Sequence, residues 1–194
     1  MIDLPLAMTD AEAAAFTRHL SLAGGYLEYG CGGSTLRAVQ QCRGLMRSVD
    51  TDIGWIRKLH EHPEVAQAVA SGRLAFHHID VGATAAWGAP AGTEKIRNWP
   101  LYAIAPFLKD DIAFDLILVD GRFRLAALLT CALLARDDVT VLCHDYARRH
   151  GYSVAEKYFD TRETVDTLAV FRKRTNVNRR ALHLDLMQTL FDFG

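Results

Sequence analysis

The chain has 194 residues, enough for one domain and short for two. Apolar types make up 50% and charged types 23%, which excludes disorder and a fibrous repeat. With 22 basic against 23 acidic side chains, the formal net charge of -1 gives no support to a dedicated nucleic-acid or membrane-surface binder.

A chain of this size buries roughly 70% of its unfolded surface, so it needs neither disulfides nor a structural metal to hold a core. Cys31, Cys42, Cys131 and Cys143 form no CxxC pair and sit in or beside apolar runs, as buried reduced thiols do. The first residues, MIDLPLAMTDAEAAAF, lack a basic leader. The longest apolar stretch, Leu125 to Ala135, is too short to span a bilayer. The expectation is a single cytoplasmic domain over residues 1–194 with no membrane segment.

Residues 1–22 hold an N-terminal helix, capped by Thr9 or Asp10 and with Glu12 in its first turn. Tyr26 to Tyr29 reads as a strand, Ser34 to Gln41 as a helix entered through glycines, and Leu45 to Asp50 as a second strand. Helical material follows from Ile53 to Ala70, and Arg73 to Asp80 is a third strand opened by Ser71-Gly72. Residues 81–113, rich in Gly, Pro and aromatics, break the rhythm and are expected to form a substrate-facing or lid loop.

Phe114 to Asp120 (FDLILVD) is nearly all apolar, as a central parallel strand covered on both faces should be. Ala126 to Ala135 follows as a helix apolar all round, then Val139 to His144 as a buried strand. A helix near Val154 to Phe159 precedes one or two closing strands within Glu163 to Arg174. The tail, residues 175–194, carries Leu182, Leu186, Leu190 and Phe193 along one stripe of an amphipathic helix. This stripe suits packing on its own domain or on a second copy of the chain, so a homo-oligomer stays open. Alternation of strands and helices implies an α/β fold, a doubly wound and mostly parallel sheet with helices on both faces.

In such a sheet, ligands bind beyond the carboxyl ends of the strands. The first strand ends in Glu28-Tyr29-Gly30-Cys31-Gly32-Gly33-Ser34-Thr35, whose glycines let a ligand approach the backbone. Ser34 or Thr35 is placed to cap the next helix, whose first amides then face that ligand. Asp50, twenty residues after Gly30, ends the second strand where an acid accepts both hydroxyls of a ribose. A dinucleotide fingerprint would want glycine at position 35, where Thr35 stands. The acid at Glu28 repels a pyrophosphate but suits an ammonium group. The combination points from NAD towards S-adenosylmethionine.

Glu28-Tyr29-Gly30-Cys31-Gly32 resembles the acid-x-G-x-G motif of the class I S-adenosylmethionine-dependent methyltransferases, and Ser48-Val49-Asp50-Thr51-Asp52 sits where that family has its ribose-binding acid. The resemblance puts Asp80 beside the adenine amino group and matches Phe114 to Arg122 with the family's fourth strand. Val119-Asp120-Gly121-Arg122-Phe123-Arg124 and His144-Asp145-Tyr146 are similar to a bacterial group of small, mostly unassigned methyltransferase-like proteins. It implies a seven-stranded sheet with an antiparallel last strand, spanning about residues 22–174 of the chain. S-adenosylmethionine would be held by Glu28, Gly30, Cys31, Gly32, Gly33, Ser34, Asp50, Asp80 and Asp120.

Asp120, His144 and Asp145 are the catalytic candidates at the ends of strands four and five, with His144 favoured as general base because histidine titrates near neutral pH. Asp120 and Asp145 offer two oxygen ligands to a divalent metal such as magnesium, but His144-Asp145-Tyr146 lacks the Asn of the catechol-type branch, so no metal site is assigned. Arg122, Arg124, Lys95 and Arg97 suggest an anionic small-molecule acceptor. No Asn-Pro-Pro-Tyr or Asp-Pro-Pro-Tyr segment and no Pro-Cys dipeptide is present. Nucleic acid is therefore disfavoured as substrate, leaving a hydroxyl on a small molecule. An NAD(P)-linked oxidoreductase and a non-catalytic S-adenosylmethionine-binding protein are the alternatives.

Overall fold

In the computed structural model, which describes residues 4–109, 112–148 and 150–194, helix α1 (Asp10–Leu20) starts at a reciprocal cap. The Glu12 amide donates to the Thr9 hydroxyl, and the Thr9 amide donates to the Glu12 carboxylate. Strand β1 (Gly25–Tyr29), helix α2 (Gly33–Gln41) and strand β2 (Leu45–Asp50) follow. The helical stretch expected over 53–70 is two helices, α3 (Ile53–His60) and α4 (Pro63–Ala70). Proline has no N–H to continue α3 but fits the first position of a new helix, so the chain breaks there. Strand β3 (Leu74–His78) closes this half.

Only the first part of the 81–113 segment is loop. Residues 83–91 form a short hairpin, in which the Ala85 amide donates to the Ala89 carbonyl and the Ala91 amide to the Ala83 carbonyl. The second part carries helix α5 (Trp99–Lys109), which buries Trp99, Tyr102 and Ala103 against the sheet; residues 110 and 111 lie outside the described residues. Pro100 reads as a breaker in the sequence, yet it occupies the first turn, where its missing N–H has no helical partner to lose.

Strand β4 (Leu116–Val119), helix α6 (Arg124–Leu134) and strand β5 (Thr140–Cys143) come next. The helix expected near 154–159 is instead a 3-10 stretch, His150–Lys157, and the chain is already extended at Phe159. Two closing strands, β6 (Phe159–Val165) and β7 (Leu168–Lys173), precede helix α7 (Arg179–Thr189).

The seven strands form one sheet in the order β3-β2-β1-β4-β5-β7-β6. The β3-β2-β1-β4-β5 pairs are parallel, and β7 runs antiparallel to both of its neighbours. Successive residues of β1 serve opposite faces: Leu27 and Tyr29 join the core under α5, α6 and α7, while Tyr26 joins that under α1, α2 and α4. Leu182 and Leu186 of α7 are buried in the first of these cores, and the Phe193 ring meets Trp99 edge-on at 5.5 Å. The tail stripe thus packs on its own domain.

The chain leaves β1 towards β2 and β3, then returns to β4 on the other side of β1. That reversal places the switch point between β1 and β4, where the sheet opens a crevice. Cys42, Cys131 and Cys143 are buried free thiols, and Cys31 is half-buried. Among the described residues no helix is long and apolar enough to cross a membrane.

Candidate functional site

Each strand end beside the crevice is pinned by its neighbour. The Gly30 amide donates to the Val49 carbonyl, the Asp120 amide to Tyr29, and the His144 amide to Val119. Beyond those bonds the chains turn into loops. Gly30 has φ +95°, and a Cβ there would lie 2.6 Å from the Gly121 Cα, so only glycine allows the β1 and β4 loops to touch. A Cβ on Gly33 would collide with the Pro5 carbonyl oxygen. At both positions the close approach expected from a ligand is made by the protein's own backbone. Gly32 differs, since a Cβ there would find its nearest neighbour, Trp55 Nε1, at an ordinary contact distance of 3.7 Å.

Asp50 ties the loop to the end of β2. Its Oδ2 accepts the Cys31 amide at 2.8 Å and its Oδ1 accepts the Asp52 amide at 2.8 Å. The Cys31 carbonyl accepts Trp55 Nε1–H at 2.7 Å, and the Gly32 amide donates to Thr35 Oγ1 at 2.9 Å. Burial pushes the Cys31 thiol well above the ordinary thiol range, so it stays protonated. A carboxylate offers about four acceptor positions, so both oxygens of Asp50 keep capacity for hydroxyl donors. The first amides of α2, at Gly33 and Ser34, have no partner within the helix.

Glu28 and Ser34 do not face this crevice. Glu28 is 1% exposed and lies beneath the loop, where its carboxylate accepts the hydroxyls of Ser34 at 2.8 Å, Thr35 at 2.5 Å and Tyr26 at 3.1 Å. Burial pushes its pKa up to about 7 against the pull of those hydroxyls. Its role is to anchor the start of α2, not to meet a ligand ammonium. Ser34 and Thr35 accordingly spend their hydroxyls on Glu28, and Gly32 takes the helix cap. Asp80 lies beyond the end of β3, exposed between the buried Ile79 and Val81, and is engaged within its own turn, where it accepts the Gly82 amide at 3.0 Å and pairs with Lys95 at 3.3 Å.

The ends of β4 and β5 are joined through buried charge. His144 Nδ1 lies 3.0 Å from Asp120 Oδ1, and its Nε2 lies 3.3 Å from Glu12 Oε2 on α1. Burial lowers the histidine pKa, but the bond to Asp120 and the charges of Asp120, Asp145 and Glu12 outweigh it and hold it above the ordinary value. With a carboxylate within 3.3 Å of each nitrogen, both nitrogens are engaged by the protein itself. The general-base role expected for His144 does not fit that geometry.

Burial of Glu12 is likewise outweighed, by the Thr167 hydroxyl, the Thr9 and Thr167 amides and His144, which bring its pKa down to about 2. Arg124 backs the whole cluster, contacting Asp120 Oδ1 at 3.2 Å and Asp145 Oδ2 at 3.5 Å. It also donates to the carbonyls of Gly121, Asp120 and His144. It is therefore no anion receptor for an acceptor, and Lys95 is committed to Asp80.

A cavity of roughly 760 Å³ opens beside this cluster, lined by Met8, Thr9, Glu12, His144, Asp145 and Arg148 among others. The two oxygens considered for magnesium, on Asp120 and Asp145, both face Arg124. Among the described residues no group of three or more His, Cys, Asp or Glu side chains is arranged to hold a metal ion. The structure thus brings together Gly30, Cys31, Gly32, Gly33 and Asp50 on one side and Asp120, His144 and Asp145 on the other. Sequence reading missed the link from Glu12 to His144, because its partners are 132 residues apart. It also missed Tyr102, whose buried hydroxyl accepts the Arg122 amide at 3.3 Å beside Gly121.

No family model matches the chain, and no curated protein matches its sequence. Solved structures do. A methyltransferase-like protein from Silicibacter pomeroyi DSS-3 is 29% identical with a TM-score of 0.88, the match covering 99% of this chain and 100% of that one. An S-adenosylhomocysteine-bound methyltransferase from Podospora anserina is 14% identical, with a TM-score of 0.54 over 84% of this chain and 78% of its own. A methyltransferase from Geobacter sulfurreducens is 9% identical, with a TM-score of 0.57 over 88% and 82%. With this strand order, a glycine loop after β1 and an acid closing β2, the chain has the fold of the class I S-adenosylmethionine-dependent methyltransferases.

Proposed function

We propose that the protein transfers the methyl group of S-adenosylmethionine to a small-molecule acceptor, with a hydroxyl oxygen as the receiving atom. The observation that carries this reading is Asp50, at the end of β2, with one amide on each oxygen and acceptor capacity to spare. Two ribose hydroxyls match that capacity. The likeness to a methyltransferase-like protein over the whole chain supports the reading, as does the S-adenosylhomocysteine bound to the Podospora anserina neighbour. Gly32 and the first amides of α2 would hold the carboxylate of the donor's amino-acid arm.

S-adenosylmethionine, when bound, supplies a methyl carbon made electrophilic by a positively charged sulfur. The chain's own contribution is to position the acceptor, since an in-line displacement is governed by approach and alignment. The cavity beside β5 is the acceptor site in this reading. Asp145 is in its wall with its side chain 32% exposed, placed to take the hydroxyl proton. His144, Asp120 and Arg124 act on Asp145 and the strand ends as positioning residues. A second reading, a protein that binds the nucleoside without transferring methyl, draws on the engagement of both His144 nitrogens.

Calorimetric titration with S-adenosylmethionine, S-adenosylhomocysteine and NADH tests the donor. Micromolar binding of the two sulfur nucleosides and none of NADH is expected; silence from both, or preference for NADH, would sink the proposal. Methyl-labelled donor with a panel of catechols, sugars and hydroxy acids then separates transfer from binding alone.

A further inference from the structure

The hairpin over residues 83–91 carries an oddity at its tip. Trp87 has φ +60°, a left-handed conformation that bulky side chains rarely adopt, and the residue is 87% exposed. Backbone strain of this kind costs free energy and clusters at ligand clamps and switch regions. The tip does not hang free. Thr51, buried at the end of β2, donates its hydroxyl to the Gly88 carbonyl at 2.6 Å. A Cβ built on Gly88 would lie 3.7 Å from Asp50 Oδ1, so the residue after Trp87 abuts the carboxylate assigned to the ribose. Consecutive Cα atoms are about 3.8 Å apart, which puts the indole within reach of whatever base extends from that ribose. Gly82 (φ +92°) lies just before the hairpin and Gly88 (φ +71°) at its tip, so the segment is bent where glycine permits it.

We propose that Trp87 is the lid of the nucleoside site and stacks its indole on the adenine base of the bound donor. This rests on the donor reading above. An aromatic face suits a purine because stacking needs no hydrogen-bond partner and excludes water from the base. The hairpin, anchored at Gly88 by Thr51 and beside Asp50, carries Trp87 at small entropic cost, and burial of the ring against adenine would remove its exposure.

The test compares wild type with Trp87→Ala and Trp87→Phe, using S-adenosylhomocysteine as the probe in calorimetry and tryptophan fluorescence. Trp87→Ala is expected to bind about tenfold more weakly, whereas Trp87→Phe keeps an aromatic face and stays near wild type. Binding should shift or quench the wild-type emission, and that change should shrink in Trp87→Phe, where only Trp55 and Trp99 remain. Wild-type affinity in Trp87→Ala would overturn the lid while leaving the donor reading intact. Equal loss in both variants, or loss with a lowered Tm, would assign Trp87 to the hairpin's own folding and also overturn it. Failure of the wild type to bind would remove the donor reading and the lid together.

Discussion

At the ends of β1 and β2 the polar groups are only partly used, whereas at the ends of β4 and β5 they are closed on one another. Asp50 takes one amide on each oxygen, and the first amides of α2 lack helical partners. Across the crevice, His144 faces Glu12 and Asp120, while Arg124 reaches Asp120, Asp145 and three carbonyls. The open side can accept a ligand without giving anything up. On the closed side the bonds are spent within the protein and hold geometry, while Asp145 still lines the cavity with its side chain 32% exposed. Spare capacity for the donor and structural rigidity thus lie at different strand ends.

The largest expected effect breaks the closed side. Arg124 is 5% exposed, so Arg124→Ala leaves Asp120 and Asp145 without their buried cation and should cost about 3–5 kcal/mol in chemical denaturation. Arg124→Lys should recover little, because a single ammonium cannot reproduce the guanidinium fork. A change below about 1 kcal/mol, on the scale of an exposed pair, would mean the cluster is not the closed network described.

Glu28→Ala removes the acceptor shared by Ser34, Thr35 and Tyr26 and should cost about 1–3 kcal/mol of stability. Glu28→Gln, which keeps the shape, should leave affinity for S-adenosylhomocysteine close to wild type. Strong loss of affinity in a well-folded Glu28→Gln would return that residue to the ligand-facing role.

The pH dependence of stability follows from the pair of shifts. His144 is raised above 6.5, so its contribution is complete below that value and is lost as pH rises through the folded value. Glu12 is lowered from 4.5 to about 2, so its contribution is present above 4.5 and is lost as pH falls towards 2. Together they work best between 4.5 and 6.5. In His144→Gln the decline above 6.5 should flatten, as read from denaturation midpoints across pH. The smallest effect is expected at Asp80→Asn, an exposed turn residue whose change should leave nucleoside affinity unaltered within error.

Much of the fold was legible because its signals are local. β2 coincides with the predicted Leu45 to Asp50, and the apolar FDLILVD run identified the strand beside the switch point. The glycine loop and Asp50 were legible for the same reason: a turn and a strand end are written in adjacent residues. α5 was obscured by Pro100, harmless in a helix's first turn, and by Pro106, which the helix carries in its interior. At the closed end of the site, the residues were named but their states were not. His144 is engaged by Asp120 and also by Glu12, which the sequence marks only as a capping acid in Thr9-x-x-Glu12. Nothing in the chain's order connects that helix to β5. Asp80 lies past the end of β3, in a turn whose bonds to Gly82 and Lys95 adjacent residues do not announce.

The most direct measurement is calorimetric titration of wild type and Asp50→Ala with S-adenosylhomocysteine, with circular dichroism to confirm that the variant is folded. Micromolar binding by the wild type and at least a tenfold loss in Asp50→Ala is the expected result. Unchanged affinity in a folded Asp50→Ala would contradict the placement of the nucleoside at the ends of β1 and β2.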